Sequence, residues 1–445
     1  MLKALNSGCI FAVQFGIDSM PNRIMTMIIW KFGNLELTVQ GDKIMAKMFQ
    51  AGPSGTRIKS DCQVFYTPGS EPLKIEIESK VEVLFSKAIR DLTEKTFSSL
   101  GVDTGTVQIK DFGALPFVMM AQIETVVKRA HPEITLEVLP DFKEHARYET
   151  ALGRFRRSGL YLPGNQPKLF LNAGIHKPDS IILDLEDSVP PAEKDSARYI
   201  VRNALRTLDF FGSERMVRIN HGELGMQDLE AIIPNNVHTI LLPKAETAEQ
   251  VVAMEARVQE ILKREGLSYK VYYMPILESA QGVLNAVEIA KASQNNVGLA
   301  IGLEDYTADI GTQRTLEGKE SFFARSMLVN AARATGIQAI DSVFSDVGNE
   351  EALRGTVQAT KAMGFDGMGC IHPRQIKPIH EEFAPSDLEI KKARTIILAA
   401  DDAEARGLGV VAVGSKMIDP PVVKRAERTI RMAIDTGLLS EGWKD

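Results

Sequence analysis

Within DSIILDLEDSVPPAEKDSAR, residues 179–198, an apolar run ends in three carboxylates, Asp184, Glu186 and Asp187, and two cations follow, Lys194 and Arg198. Three acids within four positions repel one another unless cations face them. Other apolar runs along the chain end in Arg218 and Asn220, in Lys244, in Glu278, in Glu304 and Asp305, in Asp341 and in His372. If the fold gathers these ends, the DLED acids meet Arg218 and Lys244. Glu278 and Asp305 then offer hard oxygen ligands with no cysteine or clustered histidine beside them, a donor set that suits Mg²⁺ or Mn²⁺. Arg218 carries the planar fork that grips a carboxylate through two parallel hydrogen bonds. The competing reading of each residue is an ion pair that only holds a loop. His372 reads as a satisfied rim histidine or as an acid/base group, and Lys194 with Arg198 as a solvated helix face or as a phosphate contact.

Those residues come together only if the runs form one sheet. GLYLP, SIILDLED, MVRIN, TILLPK, VYYMPILE, VGLAIGLED, QAIDS and FDGMGCIHP are separated by helix-length gaps. Each is nearly continuous in apolar character rather than alternating, as strands of a parallel sheet buried on both faces must be. Eight such βα units within residues 154–445 predict an α/β fold, a (β/α)8 TIM barrel, whose chemistry sits at the C-terminal strand ends. Asn165 and Lys168, which follow the first run, join that rim. An open doubly wound sheet is the alternative, but no G-x-G-x-x-G loop follows any run.

Residues 45–135 predict a separate small α+β unit. LKIEIES alternates like a half-buried strand, and VEVLFSKAIRDLTEKTFSSLG sets Val81, Leu84, Phe85, Ala88, Ile89 and Leu92 on one helical stripe before Gly101. TVQIKDFG gives a second strand and LPFVMMAQIETVVKRAH a second helix. Residues 136–153 read as a polar linker. In residues 1–44, Asp18, Arg23 and Lys31 interrupt the apolar patches before the ~20 residues of a membrane span. The stretch also lacks the cleavage pattern of a secretory signal. It is expected to be a non-native extension, with Met45 as the start.

The bulk properties narrow the classes. A chain of 445 residues exceeds one ordinary core, and 44% hydrophobic with 25% charged residues describes a soluble globular protein. A net charge of −6 argues against a nucleic-acid partner, which needs a basic surface. Small anionic ligands need only one local cationic pocket. Cys9, Cys62 and Cys370 follow no metal spacing and suit a reducing cytoplasm.

The blocks RRSGLYLPGNQPK, DSIILDLEDSVPPAEKDSAR, VRIN, LLPKAE, PILESAQG, IGLEDYTADIG, GFDGMGCIHPRQI and GSKMIDPP, in this order across nearly all of 154–445, resemble the citrate lyase beta subunit and its relatives in the HpcH/HpaI aldolase/citrate lyase family. The resemblance implies the same barrel, Mg²⁺ on Glu278 and Asp305, and a substrate-gripping Arg218. In relatives with an MIDPP-like segment its aspartate is an acid/base group acting in a neighbouring subunit's site, which implies that role for Asp419 and a homo-oligomer. The N-terminal unit resembles the citrate lyase gamma subunit, the acyl carrier protein, through GTRIKSDCQV, VEVLFSKAIR and DFGALPFVMMAQIE. That family carries a phosphoribosyl-dephospho-coenzyme A arm on a serine near an aspartate. Here Lys59 occupies the serine slot, so Ser60, directly before Asp61, is the expected attachment point, with Thr56 and Ser54 as shifted alternatives.

Together the two resemblances imply a Mg²⁺-dependent lyase that cleaves a carrier-bound citryl thioester to oxaloacetate and an acetyl thioester. Glu186 is the expected base, Asp419 the acid, and Asn165, Lys168 and Lys194 are expected substrate contacts. An alpha subunit with acyltransferase activity is the expected partner. The fusion would present its thioester as a tethered group at an effective concentration on the order of mM. Two alternatives stay open: a citramalyl- or malyl-thioester lyase with the same metal, and an inactive barrel that serves as a carrier and scaffold subunit.

Overall fold

The computed structural model of the chain describes residues 29–32, 35–40, 43–44, 47–55, 58–79, 82–406, 411–413 and 416–444. Cys9, Met45, Thr56 and Val81 lie outside the described residues, as do residues 1–28. Between 29 and 44 three antiparallel strands pair, β1 (Ile29–Phe32), β2 (Leu35–Gln40) and β3 (Lys43–Ile44).

A four-stranded sheet follows, in the order β4 (Phe49–Ala51), β5 (Cys62–Pro72), β7 (Thr104–Asp111), β6 (Lys74–Ser79). β6 and β7 are parallel because α1 (Glu82–Ser99) crosses between them, and the other pairs are antiparallel. The inward residues Cys62, Val64, Tyr66, Val107 and Ile109 pack under α1 and α2 (Pro116–Ala130). β5 had no clear signal in the sequence because Pro68, Gly69 and Pro72 interrupt it. Its register against β7 shifts between Thr67 and Pro72, an irregularity of the kind at which sheets accept such residues. On α1, Ile89 is buried but Phe85 stays exposed, so the buried stripe is narrower than the apolar pattern suggests.

Each of the eight predicted runs is a barrel strand. β8 (Ser158–Pro163), β9 (Ser180–Asp184), β10 (Glu214–Arg218), β11 (Thr239–Leu242), β12 (Tyr272–Leu277), β13 (Gly298–Ile301), β14 (Gln338–Asp341) and β15 (Gly367–Cys370) pair in parallel, and β15 closes on β8. Ile182, Met216, Leu241, Met274, Ile276 and Ala300 fill the interior. Closure depends on small residues in β15, since a Cβ at Gly367 would fall 1.8 Å from the Arg156 carbonyl oxygen.

The N-terminal unit is fastened to the barrel. Phe117, Val118 and Ala121 of α2 belong to the barrel's outer apolar core, while Met119, Met120, Ile123, Val126 and Val127 of the same helix fill the core of the small domain. The facing barrel helix is α3 (Lys194–Thr207). Residues 136–153 lie against the barrel as a strap: Ala146 is buried and Tyr148 donates its hydroxyl to the Ser213 carbonyl at 2.5 Å. Beyond the barrel, helices Asp387–Ala405 and Pro420–Asp435 pack through Ile390, Ile397 and Ile430. Among the described residues no helix is long and apolar enough to cross a membrane.

Candidate active site

A cavity of about 380 Å³ opens at the C-terminal mouth of the barrel and reaches its interior. Asp184, Asp187, Arg218, Glu278, Glu304, Asp305 and Asp341 line it, so residues up to 157 positions apart share one space, as the strand pattern predicts.

The DLED acids do face cations. Asp184 ends β9 and Arg218 ends β10, directly opposite in register. Arg218 donates from Nε and Nη2 to the two Asp184 oxygens, each at 2.7 Å. Its Nη1 lies 3.0 Å from Glu186 Oε2, and its guanidinium stacks 5.4 Å from the centre of the Tyr161 ring. Burial alone would raise the Asp184 carboxyl, but the Arg218 contact prevails and holds it below the ordinary range. The two-pronged grip expected for a substrate is therefore already made to Asp184. Lys244 donates from Nζ to Glu186 at 2.5 Å and to Asp187 at 3.3 Å. Burial raises Glu186 in spite of Arg218 and Lys244. Asp187 is half exposed and lines the cavity, whereas Glu186 is buried among the clamping cations and is not a lining residue.

Glu278 follows β12, and Asp305 lies in the first turn of the helix Leu303–Asp309 after β13. Glu278 is buried, and its Oε2 accepts the Lys244 backbone N–H at 2.9 Å. Burial first, then the neighbouring Glu186 and Asp305, push its carboxyl up to about 7. Two acids with little internal compensation in one cavity suit a divalent cation that takes one or two carboxylates and completes its shell with water and substrate oxygens. A glycine makes room for Glu278, since a Cβ at Gly302 would stand 2.5 Å from its Oε1. Among the described residues no group of three or more His, Cys, Asp or Glu side chains forms a complete metal cage.

Other expected contacts lie elsewhere. Lys194 turns its ammonium onto the carbonyl oxygens of Leu185 and Glu186, so it pins the DLED loop. Arg198 is a buried partner of Asp228 at 2.7 Å, and neither the solvated nor the phosphate reading describes it. Asn165 and Lys168 line a groove of about 450 Å³ shared with Ser54, Lys59 and Asp61 of the small domain, outside the cavity. Asn165 donates to Glu193 at 2.6 Å. His372 caps a short helical turn by accepting the Arg374 N–H at 3.2 Å. Asp341 is held by Arg325 and by the Thr360 hydroxyl at 2.7 Å. Asp419 caps the helix Pro420–Asp435 by accepting the Val422 N–H at 3.2 Å, is exposed, and does not line the cavity of its own chain. Ser60 is half-buried in a left-handed conformation, φ 56°, and its N–H donates to the Phe112 carbonyl at 3.1 Å.

Sequence reasoning missed the backbone role of Lys244. At φ 51° it is one of the few non-glycine residues in the left-handed region, a conformation that concentrates at functional sites. No residue pattern announces that angle.

Comparisons with known proteins match the two parts of the chain to two families. Residues 157–373 match the HpcH/HpaI aldolase/citrate lyase family, and residues 50–130 match the family of the malonate decarboxylase delta subunit, an acyl-carrier type. The chain is 42% identical over 293 residues to the citrate lyase subunit beta of Leuconostoc mesenteroides subsp. cremoris, covering 65% of this chain and 97% of that protein. It is 32% identical over 291 residues to the mitochondrial citramalyl-CoA lyase of Homo sapiens, covering 62% and 85%. The crystal structure of the CitE protein of Mycobacterium tuberculosis in complex with magnesium, acetoacetate and coenzyme A is similar at a TM-score of 0.54 and 32% identity, covering 64% of this chain and 99% of that one.

Proposed function

The chain belongs to the HpcH/HpaI aldolase/citrate lyase family, and we propose that it cleaves a carrier-bound citryl thioester to oxaloacetate and an acetyl thioester in the barrel mouth. The observation that carries this reading is the pair Glu278 and Asp305 on adjacent strand ends of the cavity that Arg218 and Asp187 also line. Mg²⁺ held by these two acids would supply positive charge beside the substrate's hydroxyl and carboxylate oxygens.

The chain's own groups divide the rest. Asp187 takes the hydroxyl proton. We assign the base to it rather than to Glu186 because Asp187 faces the cavity while Glu186 is enclosed by Lys244 and Arg218. The O–H electrons become the new carbonyl bond, and the electrons of the breaking C–C bond pass to the thioester's α-carbon. That carbon needs a proton, and Asp419 supplies it from a neighbouring copy of the chain, since it does not line its own cavity. Arg218, fixed by Asp184 and Tyr161, contributes a charged wall facing the substrate carboxylate. Ser60 carries the phosphoribosyl-dephospho-coenzyme A arm, and an alpha-type acyltransferase subunit reloads it.

The test is cleavage by the purified chain with Mg²⁺. Oxaloacetate release from citryl thioester supports the assignment. Turnover of citramalyl thioester with none of citryl thioester would move it to the second substrate class, and no cleavage of either, with Mg²⁺ leaving the melting temperature unchanged, would leave a scaffold.

A further inference from the structure

We propose that the carrier unit does not swing: it works from one fixed seat on the barrel helix α3, and only its covalent arm moves. The proposal rests on reading residues 45–135 as a carrier. The seat is built like a protein interior rather than a transient contact. Arg202 of α3 and Glu124 of α2 have fully buried side chains and pair at 2.7 Å and 3.0 Å through a two-pronged contact. Lys128 adds a bond to Glu124 at 2.8 Å, and Glu137 of the connecting strap binds Arg202 at 3.0 Å. A second fork, from Arg129, holds Asp195 at 2.7 Å and 2.5 Å and the Ala192 carbonyl at 2.7 Å. Asn203 donates to the Phe117 carbonyl at 2.9 Å, and Phe117, Val118 and Ala121 are part of the barrel's own apolar core.

Lifting the carrier would break both forks and expose that apolar surface. Separating a buried pair is strongly unfavourable because each charge loses its partner. The undocked population is then about one part in a hundred or less. The fixed seat also points the right way. Ser54 and Lys59, in the loop leading to Ser60, share a groove with Asn165 and Lys168, at the same strand-end rim as the cavity. Asn165 is two residues from Pro163, which lines the cavity itself. The arm therefore starts beside the mouth, and no domain excursion is needed to bring an acyl group to it. This replaces the picture of a carrier diffusing on a flexible tether.

The experiment is a pulsed electron-electron distance measurement on the full chain with nitroxide labels at Gln108→Cys and Lys263→Cys, both exposed positions, in a Cys9→Ser background. One narrow distance, unchanged by Mg²⁺, substrate or attachment of the arm, is the expected result. A second population above about a tenth, or a broad distribution, overturns the proposal. The double variant Arg129→Ala/Arg202→Ala is expected to broaden the distribution, and a distance that stays narrow there would refute these two forks as the clamp. The intact mass of the same sample separates the two layers: a chain expressed with its attachment enzymes that carries no adduct removes the carrier reading, while the distances still decide whether the unit is fixed.

Discussion

Asp61 offers a sharp test of how burial acts in the carrier unit. It is 2% exposed, its Oδ1 accepts the Cys62 N–H at 2.7 Å and the Gln122 amide at 3.1 Å, and no cation pairs with it among the described residues. Burial first, with a smaller push from Glu193, raises its carboxyl from 3.8 to about 7. A raised acid is protonated in the folded chain at pH values where the unfolded chain has lost the proton. Between about pH 4 and pH 7 the native state thus binds more protons, and stability falls as pH rises. About three pH units at 1.36 kcal/mol each put the loss at about 4 kcal/mol, an upper bound reached near pH 8. Asp61→Asn keeps an acceptor for both hydrogen bonds and cannot ionise. It is expected to match the wild type near pH 4 and to exceed it increasingly above pH 5, by up to about 4 kcal/mol at pH 8. Hydrogen exchange of the β5 and β7 amides, followed from pH 5 to 8, reads this directly. A variant that is less stable at pH 8, or whose advantage does not shrink toward pH 5, would refute the burial argument.

Three further outcomes follow from particular contacts. Gly302→Ala places a methyl group 2.5 Å from Glu278 Oε1, too close for the carboxylate to keep its place, so Mg²⁺ affinity in calorimetric titration should fall at least about tenfold with the melting temperature little changed; unaltered affinity would contradict the cradle. Lys244→Gly keeps the backbone N–H on Glu278 and suits the left-handed angle while removing the ammonium from Glu186 and Asp187. Mg²⁺ binding should persist while kcat drops by about 10²-fold, and parallel loss of both would show that the two roles are not separable. Arg202→Met leaves Glu124 with Lys128 as its one side-chain partner and the Val138 N–H at 3.2 Å, and urea unfolding should show a loss of about 3–5 kcal/mol; a loss under about 1 kcal/mol would mean the carrier is not anchored there.

The barrel was legible because eight continuous apolar runs at helix-length spacing, with no G-x-G-x-x-G loop after any of them, favour a closed parallel barrel over an open doubly wound sheet, and strand ends dictate which side chains share a mouth. Glu278, Asp305, Arg218 and the DLED acids came together for that reason. What the runs could not show was pairing among those groups. Arg218 spends its fork on Asp184 because β9 and β10 end in register, a fact of sheet geometry rather than of residue type. Lys194 turns back onto the loop it follows, and Asn165 with Lys168 turns outward to the small domain, because loop direction is set by packing. The carrier's helices and two of its strands followed from periodicity, while β5 was hidden by its prolines and glycine. The linker reading failed to foresee the strap, since Glu137, Ala146 and Tyr148 gain partners only once the barrel exists to supply them.

The central claim is a cation between two strand ends, and anomalous diffraction from crystals soaked in Mn²⁺ tests it most directly. One strong peak within about 2.0–2.3 Å of carboxylate oxygens of both Glu278 and Asp305 is the expected result. A peak elsewhere, or none at saturating Mn²⁺, would contradict the account.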